Sequence, residues 1–559
     1  MAAPSVSLTI RDGGLGIVLP GVGNIHAKLG ASPLGLINTL IPVTNPTDGQ
    51  VALGKGGPLM EAAALALAVG GQSGTRPGGI YCVPVNPTSY GAPSAVAHTG
   101  PGTGTMTVAA KPSAPILVKF VLGGATGVAT VLFSIDGGLT YPGTPTVTAA
   151  TLIVPNASFV TLAFGAGTAV TGDIVTVATT GTPTLTSGTG TLIPTVSSAC
   201  PVDAYTAAAT IVTAGALGVA MFTYSLDGGG SVSSPVLIPV SGIYVIPDAG
   251  LVLTFVGAFT VGDAYSFTTT TASFSSTDLT TAWTALVGDS RQWFMAHIVG
   301  AAATVAASAT LAASLETLAA AANANYRFVR VLMEVPTDTD ANTLSAFAAT
   351  VTPHVSWCAG SENTTSPLNG RIFSRNSAWP VAARIAAVPP AEDPGRVASG
   401  ALLGVLSLAR DEFKSPGLDA GRFTTLTTIL GLPGFYVTSW RLGATPGSDF
   451  TFGQYGRVMD LIAAAYRAGL LKYLNESLRV NGDGTINEKD ARSIEAFIED
   501  FIRNSLPSNT ISSLTITVDR TVNLLATQNL KSTCRAVPVG YAKNITGDLG
   551  FTSSALAVK

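Results

Sequence analysis

Residues 422–443, RFTTLTTILGLPGFYVTSWRLG, read as two strands folded around Gly431-Leu432-Pro433-Gly434. Thr, Ile, Phe, Tyr and Val fill the two arms, while Gly and Pro supply the turn. The sequence then changes period. Val458, Leu461, Ile462 and Ala465 recur at helical spacing, and Leu470, Leu471, Leu474 and Leu478 carry the apolar stripe on. A second helix buries Ala491, Ile494, Phe497, Ile498 and Phe501, with Asn487 as its N-cap and Asp490 three residues on. Strands return at 514–519 and 533–541, where Leu514, Ile516 and Val518 supply one apolar face and Val537, Val539 and Tyr541 lie on the partner strand.

Upstream, strands and helices alternate, which predicts an α/β layer. Residues 294–299, 327–335 and 354–358 read as strands, and 301–323, 340–349 and 380–387 as helices. Residues 301–323 are the most apolar long stretch, but they are Ala-rich and carry Glu316, so they predict a soluble helix and no membrane insertion. Near the N-terminus, 58–69 reads as a helix entered through Pro58, and 79–85 as a short strand.

Between 102 and 275 the texture is Thr, Val, Gly and Ala with almost no helical period. GATGVATVLFSIDGG at 124–138 matches GALGVAMFTYSLDGG at 215–229, an offset of 91 residues. Phe164 and Gly172-Asp173 have counterparts in Phe255 and Gly262-Asp263. A period this long is a whole domain, so two small β-sandwiches are expected, near 102–185 and 186–275.

Residues 5–11, SVSLTIR, alternate, placing Val6, Leu8 and Ile10 on one face of a short strand closed by Asp12-Gly13-Gly14. Such a strand needs a sheet to join. The start of the chain lacks the basic run and apolar stretch of a signal peptide, so a soluble, cytoplasmically made product is expected.

The 559 residues are 47% apolar and only 11% charged, where about 25% charged is usual. A surface so poor in charge loses little on desolvation, which suits a subunit covered by copies of itself. The formal charge of −3 provides no basic stripe, and no nucleic-acid contact is expected. Cys82, Cys200, Cys358 and Cys534 lie far apart and form neither a disulfide framework nor a zinc knuckle.

Gly49 to Lys55 has the GxxxxGK spacing of a phosphate loop, but Gly56 stands where magnesium needs a hydroxyl, so a glycine-rich turn is the better reading. In NGDGTINE at 481–488, Arg479 and Asp490 occupy the places of a calcium loop's first and last carboxylates, and the cation disqualifies the site. His354 and Cys358 are two ligands and no more. Glu334, at a strand end, and the pair Asp411-Glu412 are carboxylates able in principle to do acid-base work, but ordinary surface or interface polar contacts are the better reading. No catalytic residue, cofactor or metal is assigned.

Residues 422–443, 449–480 and the following NGDGTINEKDARSIEAFI, with TITVDRTVNLLATQNL and VPVGYAKNITGDLGF, together resemble the contractile tail sheath proteins of myovirus-type bacteriophages, nearest the Mu-like branch. GVGNIHAKLGASPLG and GGPLMEAAALAL resemble the start of such proteins, and sheaths of related contractile injection systems are similar too. The resemblance implies a multidomain α/β + β chain: a sheath-type α/β core with a C-terminal mixed sheet and two inserted β-sandwich-like repeats.

Its domains would be an inter-subunit arm at 1–20, core at 21–101, repeats at 102–185 and 186–275, an α/β domain at 276–421, a C-terminal core at 422–545 and an arm at 546–559. It further implies homo-oligomeric hexameric rings stacked helically around an inner tail tube protein, with baseplate and tail terminator proteins as partners. Assembly would occur in the bacterial host cytoplasm, the product being a virion tail whose contraction drives the tube through an envelope for genome ejection. Val6, Leu8 and Ile10, and Phe551 at the other end, would be strands donated to a neighbour's Leu514, Ile516, Val518, Val537, Val539 and Tyr541.

Two other classes compete with this. A cell-surface adhesive protein built on the β repeats would need an export route, and an enzyme would need a pocket at strand C-terminal ends lined by convergent polar groups. With Gly56 in the magnesium position, purified protein is expected to show no magnesium-dependent ATP hydrolysis; turnover that disappears in Lys55→Ala would contradict this reading.

Overall fold

The computed structural model describes residues 25–70 and 79–550. The arm residues Val6, Leu8 and Ile10, and Phe551, lie outside the described residues. The chain divides into two compact units, Met1–Ala464 and Ala465–Lys559.

The first unit is built on a seven-stranded sheet. Its strands are β1 (His26–Gly30), β2 (Ile41–Val43), β3 (Ile80–Pro84), β4 (Met295–Val299), β5 (Arg330–Val335), β6 (Val355–Ala359) and β7 (Phe423–Thr424). Their order is β2-β3-β1-β4-β5-β6-β7, and only β2 runs antiparallel to its neighbour. The mixed sheet expected at the C-terminus is therefore this central one. Parallel pairs need crossovers, and the intervening helices supply them.

One face of the sheet is apolar. Ala27, Leu29, Ala296, Ile298, Val331 and Met333 meet α3 (Ser276–Gly288), α4 (Val305–Ala324) and α5 (Asp340–Phe347). α4 is long and apolar enough to cross a membrane, yet Val305, Ala312, Leu315 and Ala319 pack into this core. The opposite face is covered by α2 (Pro58–Gly70) and α6 (Ala378–Ala387), the latter buried at every residue.

The region expected to be a glycine-rich turn is partly α1 (Pro46–Leu53), capped by Asn45, which accepts from the Asp48 amide at 2.9 Å. Gly49 serves close packing here. A Cβ at that position would lie 2.7–2.8 Å from Met60 and Val43 atoms. Gly54 ends the helix at φ 103°, a conformation glycine adopts without strain.

Residues 97–268 form two β bodies of one design. In the first, a five-stranded sheet runs Thr184–Ser187, Ile174–Val177, Ile116–Leu122, Thr130–Ser134, Thr146–Val147, facing a three-stranded sheet of Thr195–Ala199, Val160–Ala163 and Thr151–Ile153. In the second, the five-stranded order is Val236–Leu237, Met221–Ser225, Thr206–Thr213, Ala264–Thr268, Ala97–Thr99, and the smaller sheet holds Ile243–Ile246, Leu251–Val256 and Thr105–Ala110.

Strand by strand the two correspond, but the second body takes two strands from before the first. The expected boundary at 185/186 thus cuts through a sheet, and the one at 101/102 separates Ala97–Thr99 from Thr105–Ala110 within one body. Sequence identity flagged the shared hairpins, and only pairing reveals the donated strands. The same loop recurs in both bodies: Ser134 donates to Asp136 at 2.6 Å and Ser225 to Asp227 at 2.8 Å.

The first body is nested between Thr105–Ala110 and Thr206–Thr213 of the second, and its two ends lie side by side. The Lys111 amide donates to Gly250 O at 2.9 Å and the Val202 amide to Ala249 O at 3.0 Å. Replacing 112–199 by a short Gly/Ser link should therefore leave a soluble chain with one cooperative β body, read by circular dichroism and thermal unfolding. Removing 102–185 should instead leave insoluble or much less stable protein, because it takes Thr105–Ala110 away and strands Thr195–Ala199. Equal stability of the two deletions would refute the nested arrangement.

Candidate functional site

The second unit opens within α7 (Gly453–Leu471) and contains α8 (Glu488–Ser505) and an antiparallel hairpin of β8 (Ile511–Val518) and β9 (Ser532–Pro538). α7 stops at Leu471, so Leu474 falls outside the helix and is 70% exposed; Asn475 at φ 61° marks the change of direction. The expected stripe through Leu478 ends with it.

β8 alternates cleanly. Leu514, Ile516 and Val518 are buried, and the strand packs on α8, whose buried residues are Ala491, Ile494, Ile498 and Ile502. The register sets Leu514 against Ala536, Ile516 against Cys534 and Val518 against Ser532. Val537 pairs with Ser513, so it lies on the opposite face and is 54% exposed. Val539 and Tyr541 follow the end of β9 at Pro538. The apolar face read from the sequence on β8 is thus spent within the unit, and Val537 is not part of it.

The two edges of the hairpin differ. On β8 the main-chain groups of Leu514 and Val518 point away from β9, and α8 side chains take them: Arg503 donates to Leu514 O at 3.3 Å, and Glu495 accepts from the Val518 amide at 2.7 Å. Arg520 holds Glu495 through bonds of 2.6 and 3.0 Å and Glu488 through one of 2.6 Å, and keeps the Glu495 carboxyl below its usual range. On β9 the same alternation turns the main-chain groups of Cys534 and Ala536 outward, and no strand pairs with that edge among the described residues. Glu488, Glu495, Arg503 and Arg520 escaped the sequence reading. Their one signal was the seven-residue spacing of Glu488 and Glu495, two turns on one helix face.

The chemical motifs resolve into structural contacts. Arg479 and Asp490, which disqualified the calcium loop, bind each other, and the Arg479 amide also donates to Asp490 at 2.8 Å. His354 pairs with Glu316 at 2.6 Å. Asp411 accepts from Thr428, and Glu412 from Arg410 and Thr425. Among the described residues no group of three or more His, Cys, Asp and Glu is placed to hold a metal ion.

A cavity of about 550 Å³ does lie at the C-terminal ends of β1 and β4, lined by Ala31, Val299, Gly300, Phe274, Thr310 and Ser314 among others. Its lining carries no titratable side chain. A cluster of buried titratable groups lies instead beneath α2 and α6. Lys28 Nζ donates to His297 Nδ1 at 3.0 Å, and Trp379 donates to Glu334 at 2.7 Å. Burial pushes Lys28 down to about 7 and Glu334 up to about 7.

Arg375 donates to both oxygens of Asp203, at 3.0 and 2.6 Å, and to Glu61. Near it, Glu362 is 1% exposed, and burial pushes the group up to about 8.

A family model described as DUF2586, N-terminal domain, matches residues 3–441. No curated protein matches the chain. Among solved structures, the sheath tail protein from Listeria innocua is 11% identical, with 92% of this chain and 95% of that chain covered and a TM-score of 0.40. The sheath tail protein from Desulfitobacterium hafniense is 11% identical, with 96% and 100% covered and a TM-score of 0.43. The sheath complex of an extracellular contractile injection system, in its contracted state, is 12% identical, with 51% and 77% covered and a TM-score of 0.37.

The state of Glu362 makes a pH prediction. An acid raised from 4.5 to about 8 by folding holds a proton that the unfolded chain has released, so its contribution to stability falls as pH rises through that window. Glu362→Gln has no such loss. The stability gain of the variant over the native chain, from denaturant unfolding, should grow between pH 5 and 8 by up to about 1.4 kcal/mol per unit and then level off. A difference independent of pH would show that Glu362 is ionised in the folded chain.

Proposed function

The chain belongs to the DUF2586 family, and from that premise we propose that it is a structural, non-enzymatic subunit of a contractile tail sheath. Copies of the chain form six-membered rings stacked around an inner tube, held by strands exchanged between neighbours. Baseplate and terminator proteins meet the ends of the stack, and contraction drives the tube through a target envelope. The two β bodies are insertions at the periphery of the assembly, away from its axis.

The observation that carries this reading is the open outer edge of β9. It lies in the C-terminal stretch whose sequence resembles sheath proteins, on a two-stranded hairpin, an element that is marginal by itself. Natural proteins usually blunt exposed edges, and here α8 does so for β8 alone. A strand added to β9 gains about 1 kcal/mol per hydrogen bond, and several such bonds at every lattice point shift assembly strongly. The alternating segment with Val6, Leu8 and Ile10 is the proposed donor.

Ala536→Pro tests the edge directly. Its N–H points away from β8, so proline removes no bond within the hairpin but blocks an incoming strand. The variant should keep its circular dichroism spectrum and melting temperature within a few degrees, yet fail to form continuous tubes by negative-stain microscopy. Deletion of residues 1–11, and Leu8→Asp, should give the same result. The chain lacking 112–199 should still form tubes. Normal-length, contracting sheaths from Ala536→Pro and from the truncated chain would remove strand exchange at β9 as the joint.

A further inference from the structure

The glycine-rich segment before α2 has a feature that the assembly reading does not use. Lys55, Gly56 and Gly57 line a cleft of about 280 Å³ together with Tyr205 and Asp248 of the second β body and Arg371 from the turn before Ile372–Asn376. Three segments far apart in sequence therefore meet around one small space.

The hydrogen-bonding account of this cleft is lopsided. Its acceptors are occupied. Glu61 accepts from Ser366 at 3.2 Å and from Arg375, and Asp248 lies 3.5 Å from Lys55. Its donors are open. Tyr205 is only 4% exposed, yet its hydroxyl has no hydrogen-bond partner, and the Arg371 guanidinium makes neither an ion pair nor a hydrogen bond. The Gly56 and Gly57 amides, which precede the thirteen-residue helix α2, have no acceptor either. Gly56 and Gly57 are buried, where unpaired donors are rare, Arg371 is half-buried, and a helix N-terminus adds positive potential.

We infer that this cleft binds a small oxyanion, of the size of phosphate or sulfate, through Arg371, the Tyr205 hydroxyl and the Gly56-Gly57 amides. The charges behind the cleft set the limit. Lys55, Arg371 and Arg375 face Glu61, Asp203 and Asp248, a balanced set, so attraction comes from the open donors rather than from net charge. The space is too small for a nucleotide and lacks the magnesium hydroxyl, so the ligand is the free anion. Once bound, it bridges the second β body to the α1–α2 turn and adds a further tie at that seam, beside Lys55–Asp248, Arg375–Asp203 and the 3.1 Å bond from the Ile372 amide to Asp227.

The test is isothermal titration of sulfate, and separately of phosphate, into the full chain at constant ionic strength, with thermal unfolding in parallel. One saturable site per subunit is expected, weakened at least about tenfold in Arg371→Ala and several-fold in Tyr205→Phe, each tenfold being 1.4 kcal/mol. Sulfate and phosphate also stabilise proteins generally by exclusion from the surface, and that part should be equal in all three proteins. Tyr205→Phe keeps the ring and its packing, so it remains informative if Arg371→Ala does not fold. Absence of a saturable site in the native chain, or equal affinity in native protein and Tyr205→Phe, overturns the assignment.

Discussion

Arg375 sits where three parts of the first unit converge. Its guanidinium is 8% exposed, joins Asp203 of the second β body to Glu61 of α2, and lies over the rings of Phe373 and Trp379 at 4.3 and 4.7 Å. Taking three ionic groups out of water is costly, and only near-complete pairing offsets it. Arg375 meets that condition in part: both terminal nitrogens are paired and Ser366 satisfies a further Glu61 oxygen, while the buried Arg375 Nε has no partner. Losing one partner of such an arrangement costs about 3–5 kcal/mol, because the others stay buried without compensation. Phe373 also joins the core of the second β body. Docking of that body on the α/β layer rests on this cluster with the Ile372–Asp227 bond and the Lys55–Asp248 pair. The first body instead meets the layer directly, the Gly35 and Ile37 amides donating to Asn156 O and Pro155 O at 3.1 and 3.0 Å and the Ser158 hydroxyl to Ser32 O at 2.9 Å.

The sequence made much of this legible and hid a definable remainder. The long segments were read correctly: α2, α4 and β4 to β6 lie within a few residues of expectation, the helices because each fills a long apolar stretch and β4 to β6 because they are short runs buried on both faces and spaced by helices. The duplicated SxDGG hairpins were visible because the turn needs glycines at positive φ, Gly137 and Gly138 in one body and Gly228 and Gly229 in the other. Nesting was not visible, since Thr105–Ala110 resembles any short strand and its partner, Leu251–Val256, lies some 140 residues on. α1 was read as a turn because glycine usually marks one, whereas Gly49 is there to let Met60 approach. Charged pairs such as Arg375–Asp203 leave no local trace.

For the assembly site the limit was register. Val537 and Leu514 are both apolar at alternating positions, and nothing local says that they face opposite ways. One residue of slip flips every side chain of a strand, and the bulge near Ile511 helps set which way. The sequence could thus point to the hairpin but not divide its residues between the unit's own core and its open edge. Once divided, Leu514, Ile516 and Val518 hold the hairpin to α8, which leaves only main chain for the proposed joint.

In the sheath proposed above, a main-chain joint would suit a lattice that changes shape. Side-chain pockets hold one geometry, while a strand bonded through its backbone keeps its hydrogen bonds when the bodies at its two ends rotate, provided the linking segments bend. The low charge of this chain works in the same direction. In the first β body, between 111 and 200, only Lys111, Lys119, Asp136 and Asp173 are charged, and Asp173 is buried, accepting from the Val170 and Thr189 amides. In the proposed assembly, neighbouring copies with so few surface charges would have few fixed ion pairs to break as they slide. Contacts of this kind are weak singly and indifferent to exact position, so the energy that distinguishes two packings of the same subunits must lie in the area they bury. The proposed strand joint would then need only to keep the subunits connected while that area changes.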